Sequence, residues 1–600
     1  MPRTDNNAEN TLDNGSRLRL VINEGSSMPK MQIITANSII TMNPTQPRAE
    51  AVAFDVDTKL IIGIGTLEEC QAAAPGATVT DIGVATLMPG FVEPHSHPFV
   101  SGLATQPPAY WIAPYVGFPN YSDVTDLFTK LNSELPADQA VIFNGLDRIL
   151  QQAPQLTNAD LDVFFPDRIA AVLDNSGHEI YFNSATIKLL NWADGKPPTD
   201  PVGGRYGRNA DGTSNGLASE SAAIFTVADP VLALAIPHPL LSGAQFYKYM
   251  ASFGITSTSD MTYSTEMLKG YEALASRPDC PMRISFFHMS TEGDAGDKID
   301  SPIDPMMVTK QGIKLWADGS PWVGSIASSF PYLDSPIVQH AQIPLGPGGE
   351  AMMNYTRAQL DEILAKYVPM GWQFAFHCNG DVGLDIVLDA YEHALVTNNL
   401  LGTDHRWRVE HMGGCRGDQF KRAAQLGVGL SLGPFQFIYW GDVLDGQMFP
   451  TEIGSEWMRW GDAVRSGAVY SFHNDGSVSP PNVLLNMQTA ITRMTPSGQV
   501  HGPGQIISLD DAFKAQTINA AHMLFRDKEV GSLEVGKYAD FVELSMDPYQ
   551  AEPTTLASQV KVNGTWLGGH KIDLDAFIAE VTAIDPTQHK DTVTTKGKCC

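Results

Sequence analysis

The chain has 600 residues, of which 43% are hydrophobic and 18% charged, so it can bury a large core and is expected to be globular. Its 39 basic and 67 acidic residues give a net charge of -28 without a concentrated Lys/Arg tract, which disfavours nucleic acid or an anionic membrane as a partner. The 6 cysteines include no Cys-x-x-Cys pair, which disfavours a disulfide scaffold or thiolate zinc cluster and favours a reducing cytoplasm.

The two ends of the chain are polar and are predicted to carry little function. Residues 1–30, rich in Asn, Asp, Gly and Ser, predict a mobile arm, and residues 586–600 predict a tail. Cys599 and Cys600 are adjacent in that tail, so we assign them to it rather than to a metal site. Because no charged segment precedes an apolar core at the start and no apolar run reaches membrane length, neither an export signal nor a membrane span is expected.

Strand-like runs near both ends predict one β-sandwich built from two separate stretches of chain. The first stretch, 31–90, and the second, 526–585, are both rich in β-branched and apolar residues separated by turn residues. An Asn-Gly pair in the second stretch is typical of a hairpin turn. The runs are IITANSIITM, AVAFDV, LIIGIG and ATVTDIG in the first stretch, and GSLEVGKYADFVELSMD and QVKVNGTWLGG in the second.

Residues 91–525, between these stretches, predict an α/β fold of the TIM type, a (β/α)8 barrel. A unit recurs there in which an apolar strand ends in a polar cluster and is followed by a helix-like segment. TIM barrels carry their chemistry at the C-terminal ends of the strands, so the polar clusters mark the candidate site. The repeated runs are GITSTSD, QGIKLWADG, WQFAFHCNGD, RWRVEHMGG, GVGLSLGP and AVYSFHNDG.

An insertion at about residues 105–240 is predicted between the first and second barrel units. It is rich in Pro, Gly and Asn and has only a few strand-like runs, so we interpret it as a cap or lid. Its aromatic run PAYWIAPYVGFPNY has two possible roles. The aromatic side chains either line an apolar pocket for the substrate or pack the insertion on the barrel.

Two histidines spaced two apart, His95 and His97, follow the run TLMPGFVEP. On a strand both imidazoles would project from one face and could bind the same metal ion, although an ordinary loop with two hydrogen-bonded histidines is the competing interpretation. His377, His411 and Asp475 each end a further predicted strand. Imidazole and carboxylate around one barrel mouth are ligands that zinc and similar divalent ions accept, which favours a metal site.

These motifs resemble the amidohydrolase superfamily. The resemblance is carried by PGFVEPHSHP, HCNGD, VEHM and an aspartate after the last strand, and it is narrower to the YtcJ-like branch (amidohydrolase family 3) related to N-substituted formamide deformylase. It spans roughly residues 32–570. Further supporting segments are DNSGHEIYFNSAT, NGLASES, GITSTSD, QGIKLWADGS, QTINAA and GSLEVGKYADFVEL.

The resemblance implies a binuclear metal centre with two zinc ions per chain. Carried over position by position, it makes His95, His97 and Asp475 ligands of the first ion. His377 and His411 would bind the second. It aligns Lys314 with the lysine whose carbamylated amine bridges the two ions, whereas a salt-bridged barrel lysine is the alternative.

The implied activity is hydrolysis of a C–N bond in a small amide or N-substituted formamide by a metal-activated hydroxide. Asp475 would act as general base and then as general acid, and His178, in the insertion, would approach the substrate or orient the leaving group. The same centre is compatible with ring deamination, with ester, lactone or carbamate opening, or with phosphoester cleavage, and a non-catalytic scaffold is a further alternative. The expected partner is a small molecule, with homo-oligomer formation left open.

Two pairs of residues differ from those usual at these positions in the branch. Cys378 and Asn379 follow His377, and a buried inert thiol is favoured over one that faces the pocket. His473 and Asn474 precede Asp475. His473 is equally compatible with a partner that supports the metal ligands and with a plain core histidine.

Overall fold

The protein is described here by a computed structural model over residues 30–584. The predicted N-terminal arm, apart from its last residue, and the predicted C-terminal tail with Cys599 and Cys600 lie outside the described residues.

Eight parallel strands follow one another in chain order around a nearly closed barrel, which confirms the predicted (β/α)8 fold. Their alternating Val, Ile, Phe, Ser and Thr residues are almost all buried, as expected for strands covered on both faces. We number the strands β1 (Phe91–Glu93), β2 (Ile255–Tyr263), β3 (Arg283–Met289), β4 (Val308–Trp316), β5 (Gln373–Cys378), β6 (Arg408–His411), β7 (Gly429–Leu432) and β8 (Tyr470–Phe472).

Side chains join β1 to β8 at the seam of the barrel. Gln516 donates from Nε2 to the carbonyl oxygen of Phe472 at 2.8 Å and to that of Val92 at 3.3 Å. Asn474 Nδ2 donates to Glu93 Oε2 at 2.6 Å. These bonds satisfy buried groups that would otherwise lose water without a partner, and they fix the chain on either side of the candidate site.

Helices pack around the barrel, as predicted from the helix-like segment that follows each strand of the repeat. Capping residues mark their ends: Thr356 forms a capping box at the start of one helix, and Gly427, with φ of 72°, ends another in the left-handed conformation. Between β3 and β4 the chain runs through turns instead. The helices after β2 are Leu268–Ala275, Pro336–His340, Arg357–Tyr367, Asp381–Thr397, Gly417–Leu426, Pro434–Leu444, Thr451–Gly454, Trp460–Ser466, Val483–Thr492, Leu509–Ala515 and Ile518–Met523.

Strands from both chain ends form one eight-stranded sheet, so the two stretches predicted to build one β-sandwich do combine. Met31–Ile40 pairs with Thr78–Asp81 along its first half and with Thr86–Pro89 along its second, and its register against Arg48–Asp55 shifts between Thr35 and Ile39. Phe541–Leu544 joins the C-terminal stretch to the N-terminal one by pairing with Thr86–Pro89. The other elements of this module are strands Leu60–Gly65, Val562–Leu567 and His570–Lys571 and helices Leu67–Ala73, Leu556–Gln559 and Leu574–Thr582.

The chain between β1 and β2 has a sheet of its own, which the sequence prediction of only a few strands understated. Its strands are short and broken by Pro- and Gly-rich turns, so their alternation is hard to recognise in sequence. The boundaries of this insertion and of the other domains stay predictions. The strands are Tyr110–Trp111, Val141–Leu146, Ala170–Asp174, Glu179–Phe182, Arg205–Arg208 and Ser214–Ser219, with helices Pro98–Thr105, Tyr121–Glu134, Asn158–Phe164, Ser184–Leu189, Ser221–Ala235 and Pro239–Ala251.

In the part of the chain that the structure describes, no single helix is long and apolar enough to cross a membrane. The bent pair Ser221–Ala235 and Pro239–Ala251 passes that test only as a pair, by length and composition. Most of the apolar side chains of both helices are buried within the protein.

Candidate metal centre and active site

A cavity of about 70 Å³ lies at the C-terminal ends of the barrel strands, the face on which the sequence placed the chemistry. Lys314 is on β4, His377 is on β5 and His411 ends β6. His178 enters from the insertion. All seven residues singled out in the sequence line this cavity: His95, His97, His178, Lys314, His377, His411 and Asp475.

His95 and His97 do not lie on a strand, in contrast to the prediction. The strand β1 ends at Glu93, and the two histidines occupy the turn that leads into helix Pro98–Thr105. The turn nevertheless brings both rings to one carboxylate. Asp475 Oδ1 lies 3.3 Å from His95 Nε2 and 3.1 Å from His97 Nε2.

The other ring nitrogen of each of these histidines is held by a buried partner. His95 Nδ1 is 2.7 Å from Glu410 Oε2, and His97 Nδ1 is 3.1 Å from Thr262 Oγ1. Since a neutral imidazole carries one N–H, a proton on each Nδ1 leaves a lone pair on each Nε2. Both lone pairs then point toward Asp475.

His377 and His411 lie next to each other on the other side of the cavity, with ring centroids 4.5 Å apart. His377 Nε2 is 3.0 Å from the carbonyl oxygen of Gly319, which leaves Nδ1 as the ring nitrogen able to bind an ion. Asp318 holds the following turn by accepting the backbone N–H of Asn379 at 2.8 Å. Lys314 is 1% exposed, whereas the side chains of His97 and Asp475 are each 13% exposed.

Burial and mutual charge set the protonation of the site. Burial lowers the pKa of His377 and His411 well below the usual value, and burial together with Lys314 lowers that of His95. Burial alone would raise the pKa of Asp475, but the nearby His95 and His97 lower it well below its usual value. Neutral imidazoles and an ionised carboxylate are the forms that bind a metal ion.

The donor set therefore fits a divalent metal ion. Ligand-type atoms of His95, His97 and Asp475 all lie within 4.8 Å of one another, and so do those of His95, His411 and His473. Nitrogen and carboxylate oxygen donors suit zinc and similar ions. His473 is thus in contact with the candidate ligands and is not a remote core histidine.

His178 is paired with a carboxylate that sequence reasoning did not identify. Its Nδ1 lies 2.9 Å from Glu220 Oε2, so Nε2 is the nitrogen available to the cavity. Glu220 is also 3.3 Å from the Ser325 hydroxyl and from the Asn354 amide. Burial lowers the pKa of His178, but the carboxylates of Glu220, Asp174 and Asp318 together outweigh burial, and the net pKa is raised.

The apolar walls of the cavity come from the barrel and not from the aromatic run of the insertion. Trp316, Trp322 and Phe435 line the cavity. Tyr115, from the aromatic run, instead stacks on Tyr439 with ring centroids 4.0 Å apart and hydrogen-bonds to the carbonyl oxygen of Val478. The structure thus supports the second role considered for that run, packing of the insertion on the barrel.

Three site residues have a positive φ although none is glycine: His411 (73°), Asp475 (53°) and Glu220 (63°). Such conformations cost on the order of 1–3 kcal/mol each and persist where the surrounding structure fixes them. The surrounding structure therefore holds these three residues in an unfavourable backbone conformation, which positions their side chains around the cavity.

Cys378 and Asn379, which depart from the usual sequence of the branch, occupy different positions relative to the cavity. Cys378 is fully buried, with its thiol 3.5 Å from the carbonyl oxygen of Gly380, and it is not among the described residues that line the cavity. Burial raises its pKa well above the usual value, in keeping with an inert thiol. Asn379 does line the cavity.

A barrel whose strand ends carry clustered imidazoles, a lysine and a carboxylate is the architecture of a metal-dependent hydrolase. A model of the amidohydrolase family matches residues 79–572. The chain therefore belongs to the amidohydrolase family and is a hydrolase.

Relatives and solved structures agree with this assignment over most of the chain. N-substituted formamide deformylase from Arthrobacter pascens is 26% identical over 91% of this chain and 98% of its own length. Putative amidohydrolase YtcJ from Bacillus subtilis (strain 168) is 24% identical over 86% and 95%. The crystal structure of an uncharacterized metal-dependent hydrolase from Pyrococcus horikoshii OT3 superposes with a TM-score of 0.67, at 19% identity, over 87% of this chain and 99% of its own.

Proposed function

We propose that this chain hydrolyses the C–N bond of a small, uncharged amide of the N-substituted formamide type. The observation that carries the proposal is the convergence of His95, His97 and Asp475 on one point of a small buried cavity, with His377 and His411 alongside. The formamide deformylase relative, which matches along nearly its whole length, supports the choice of bond.

The cavity lining favours an uncharged substrate. Among the described residues that line it, Lys314 is the only lysine or arginine, and it lies among the candidate metal ligands. The remaining walls combine the indoles of Trp316 and Trp322 with the amides of Asn379 and Gln436. Such a lining suits a flat apolar group beside an amide, whereas a substrate carboxylate would lack a counter-charge of its own.

We assign the metal ligands as the resemblance implies. His95, His97 and Asp475 would hold one zinc ion, His377 and His411 a second, and carbamylated Lys314 would bridge them. A bound divalent ion would lower the pKa of a water molecule and polarise the carbonyl oxygen of the substrate.

The chain's own residues would handle the proton and the developing charge. Asp475, whose carboxylate lies between His95 and His97, would accept a proton from the attacking water and return it to the departing nitrogen. His178 would donate from Nε2 to the substrate oxygen as negative charge develops there, with Glu220 holding its Nδ1. The cavity walls would exclude bulk water, which strengthens both interactions.

A substrate screen tests the proposal. The purified protein, before and after metal removal, is offered N-alkyl and N-aryl formamides, other amides, ring amines and esters, with amine, formate, ammonia and acid release measured separately. The proposal predicts metal-dependent release of amine and formate. Ammonia release from a ring amine alone would indicate a deaminase, and ester cleavage without any amide cleavage would overturn the amide assignment.

A further inference from the structure

His473 is buried against the candidate metal ligands without belonging to either ligand set. Its ring stacks on that of His95 with centroids 4.6 Å apart. Its Nε2 lies 3.1 Å from His411 Nδ1, and its Nδ1 lies 3.0 Å from Ser431 Oγ. Both ring nitrogens are therefore engaged in hydrogen bonds within the protein.

The hydrogen bond between the two histidines determines which nitrogen of His411 can bind an ion. His411 Nδ1 lies 3.1 Å from His473 Nε2 and 3.9 Å from Asp475 Oδ2. Since the hydrogen bond with His473 engages Nδ1, we take Nε2 as the nitrogen whose lone pair is left for the metal. A neutral ring with its lone pair on Nε2 carries its proton on Nδ1 and must donate it to an acceptor. His473 Nε2 is that acceptor. His473 then carries its own proton on Nδ1 and donates it to Ser431 Oγ.

The opposite direction of this bond would disable His411. If His473 donated from Nε2, His411 would carry its proton on Nε2 and would have no lone pair there. Ser431 Oγ can accept a hydrogen bond from His473 Nδ1, so it is compatible with the tautomer of His411 that binds metal and stabilises that tautomer once an ion holds Nε2. Neighbouring groups fix the ring nitrogens of metal-binding histidines in this way in other proteins.

Arg408 connects this series of hydrogen bonds to the other ion position. Its Nη2 lies 3.2 Å from Ser431 Oγ and 2.7 Å from Glu410 Oε2. Glu410 Oε2 in turn lies 2.7 Å from His95 Nδ1. Arg408, Glu410 and Ser431 are fully buried, so these bonds are shielded from water and depend on one another.

We propose that His473 is a positioning residue for metal binding. With Ser431, Arg408 and Glu410 it forms one buried hydrogen-bonded network that fixes the tautomers of His411 and His95, one ligand from each ion position. The inference rests on the proposed function, since it takes these two histidines as metal ligands. Direct ligation by His473, which its closeness to His95 and His411 also permits, is the competing role that the test must separate.

The test compares His473→Leu, His473→Gln and Ser431→Ala with the wild type. Each metal-free full-length protein is titrated with Zn²⁺ against a chromophoric chelator, and with Co²⁺ while its absorption spectrum is recorded. His405→Leu is the matched control, because His405 is another buried barrel histidine whose partners are the backbone of Leu426 and Trp407. Circular dichroism and Tm confirm folding of each variant.

His473→Leu should weaken binding of the His411-dependent ion about 10- to 100-fold without changing the number of ions bound at saturation. His473→Gln keeps an amide oxygen able to accept from His411, so its affinity should stay within a few fold of the wild type. Ser431→Ala should show an intermediate loss. Combining it with His473→Leu should add nothing, because Ser431 reaches His411 only through His473.

Several results would overturn the inference. Unchanged affinity in both His473→Leu and Ser431→Ala would show that the network does not position His411. Loss of one whole ion in both His473→Leu and His473→Gln would make His473 a ligand. Should His473→Leu not fold, Ser431→Ala alone decides between a loss and no loss. A wild-type protein that binds neither metal would instead overturn the proposed function, and this inference with it.

Discussion

The pairing of Glu220 with His178 gives the sharpest prediction about catalysis. The side chains of His178 and Glu220 are 4% and 3% exposed, and His178 Nδ1 lies 2.9 Å from Glu220 Oε2. A hydrogen bond to a charged group in such a place is worth about 1.5–3 kcal/mol, and a neutral acceptor provides roughly half of that. Glu220→Gln, which keeps the shape of the side chain, should therefore cost about 0.8–1.5 kcal/mol, or roughly 4- to 13-fold in kcat.

Removing the donor itself should cost more. His178→Asn takes the ring N–H away from the substrate oxygen, and loss of one such donor lowers kcat about 10²–10³-fold. The double variant should be no worse than His178→Asn alone, since Glu220 acts only through His178. Ser325→Ala is the matched control, because Ser325 contacts Glu220 but not His178, and its kcat should change by less than about threefold.

The assay is steady-state hydrolysis of an N-substituted formamide, with metal content measured on the same samples. Equal metal content ensures that the kcat values report on the substrate oxygen and not on metal loss. Unchanged kcat in Glu220→Gln, or a double variant whose loss is the product of the two single losses, would refute the assigned pairing.

Two further predictions concern the proton acceptor and stability. Asp475→Asn should lower kcat about 10²–10⁴-fold with metal still bound, because an amide cannot accept the proton, and near-normal turnover in metal-loaded protein would contradict this role. Burial raises the pKa of Asp527, but the nearby His522, whose Nδ1 lies 3.8 Å away, and a 2.6 Å hydrogen bond from Arg406 lower it below its usual value. The carboxylate therefore stabilises the fold above about pH 4, and this contribution is lost as pH falls. Asp527→Asn should accordingly lower Tm at pH 7, and the gap to the wild type should close progressively below about pH 4. A gap at pH 3 as wide as the gap at pH 7 would count against that explanation.

The ligand-type residues could be predicted because each follows a recognisable strand. The strands β5, β6 and β8 end in runs that alternate apolar residues up to His377, His411 and Asp475, and the barrel geometry brings such ends together. His95 and His97 were found by their spacing even though the predicted strand geometry was wrong. The fold class followed from the same repeat.

The supporting partners could not be predicted because they are distant in sequence. His95 and Glu410 are separated by 315 positions, and His178 and Glu220 by 42. Glu410 and Glu220 were present in the family-like segments VEHM and NGLASES, which was the only signal for them. Ser431 lies in the middle of a buried strand, where a small polar residue is ordinarily structural.

The insertion was harder to predict than the barrel for a physical reason. Its strands span two to six residues, too few for a periodic pattern to stand out from the turns between them. The apolar wall of the site was missed because Trp322 lies in a short turn after β4, outside any strand or long helix. Tertiary packing, and not local sequence, determines the position of the insertion's strands and of the apolar wall.

The central claim is that the cluster around Asp475 is a metal centre that supports hydrolysis. Elemental analysis of protein purified without chelator, repeated after chelator dialysis and zinc restoration, tests it most directly when hydrolysis of an N-substituted formamide is followed on the same samples. About two zinc-like ions per chain, with activity lost on dialysis and regained on restoration, are predicted; about one would leave Lys314 an ordinary lysine. A chain that takes up no divalent ion under either condition would contradict the account.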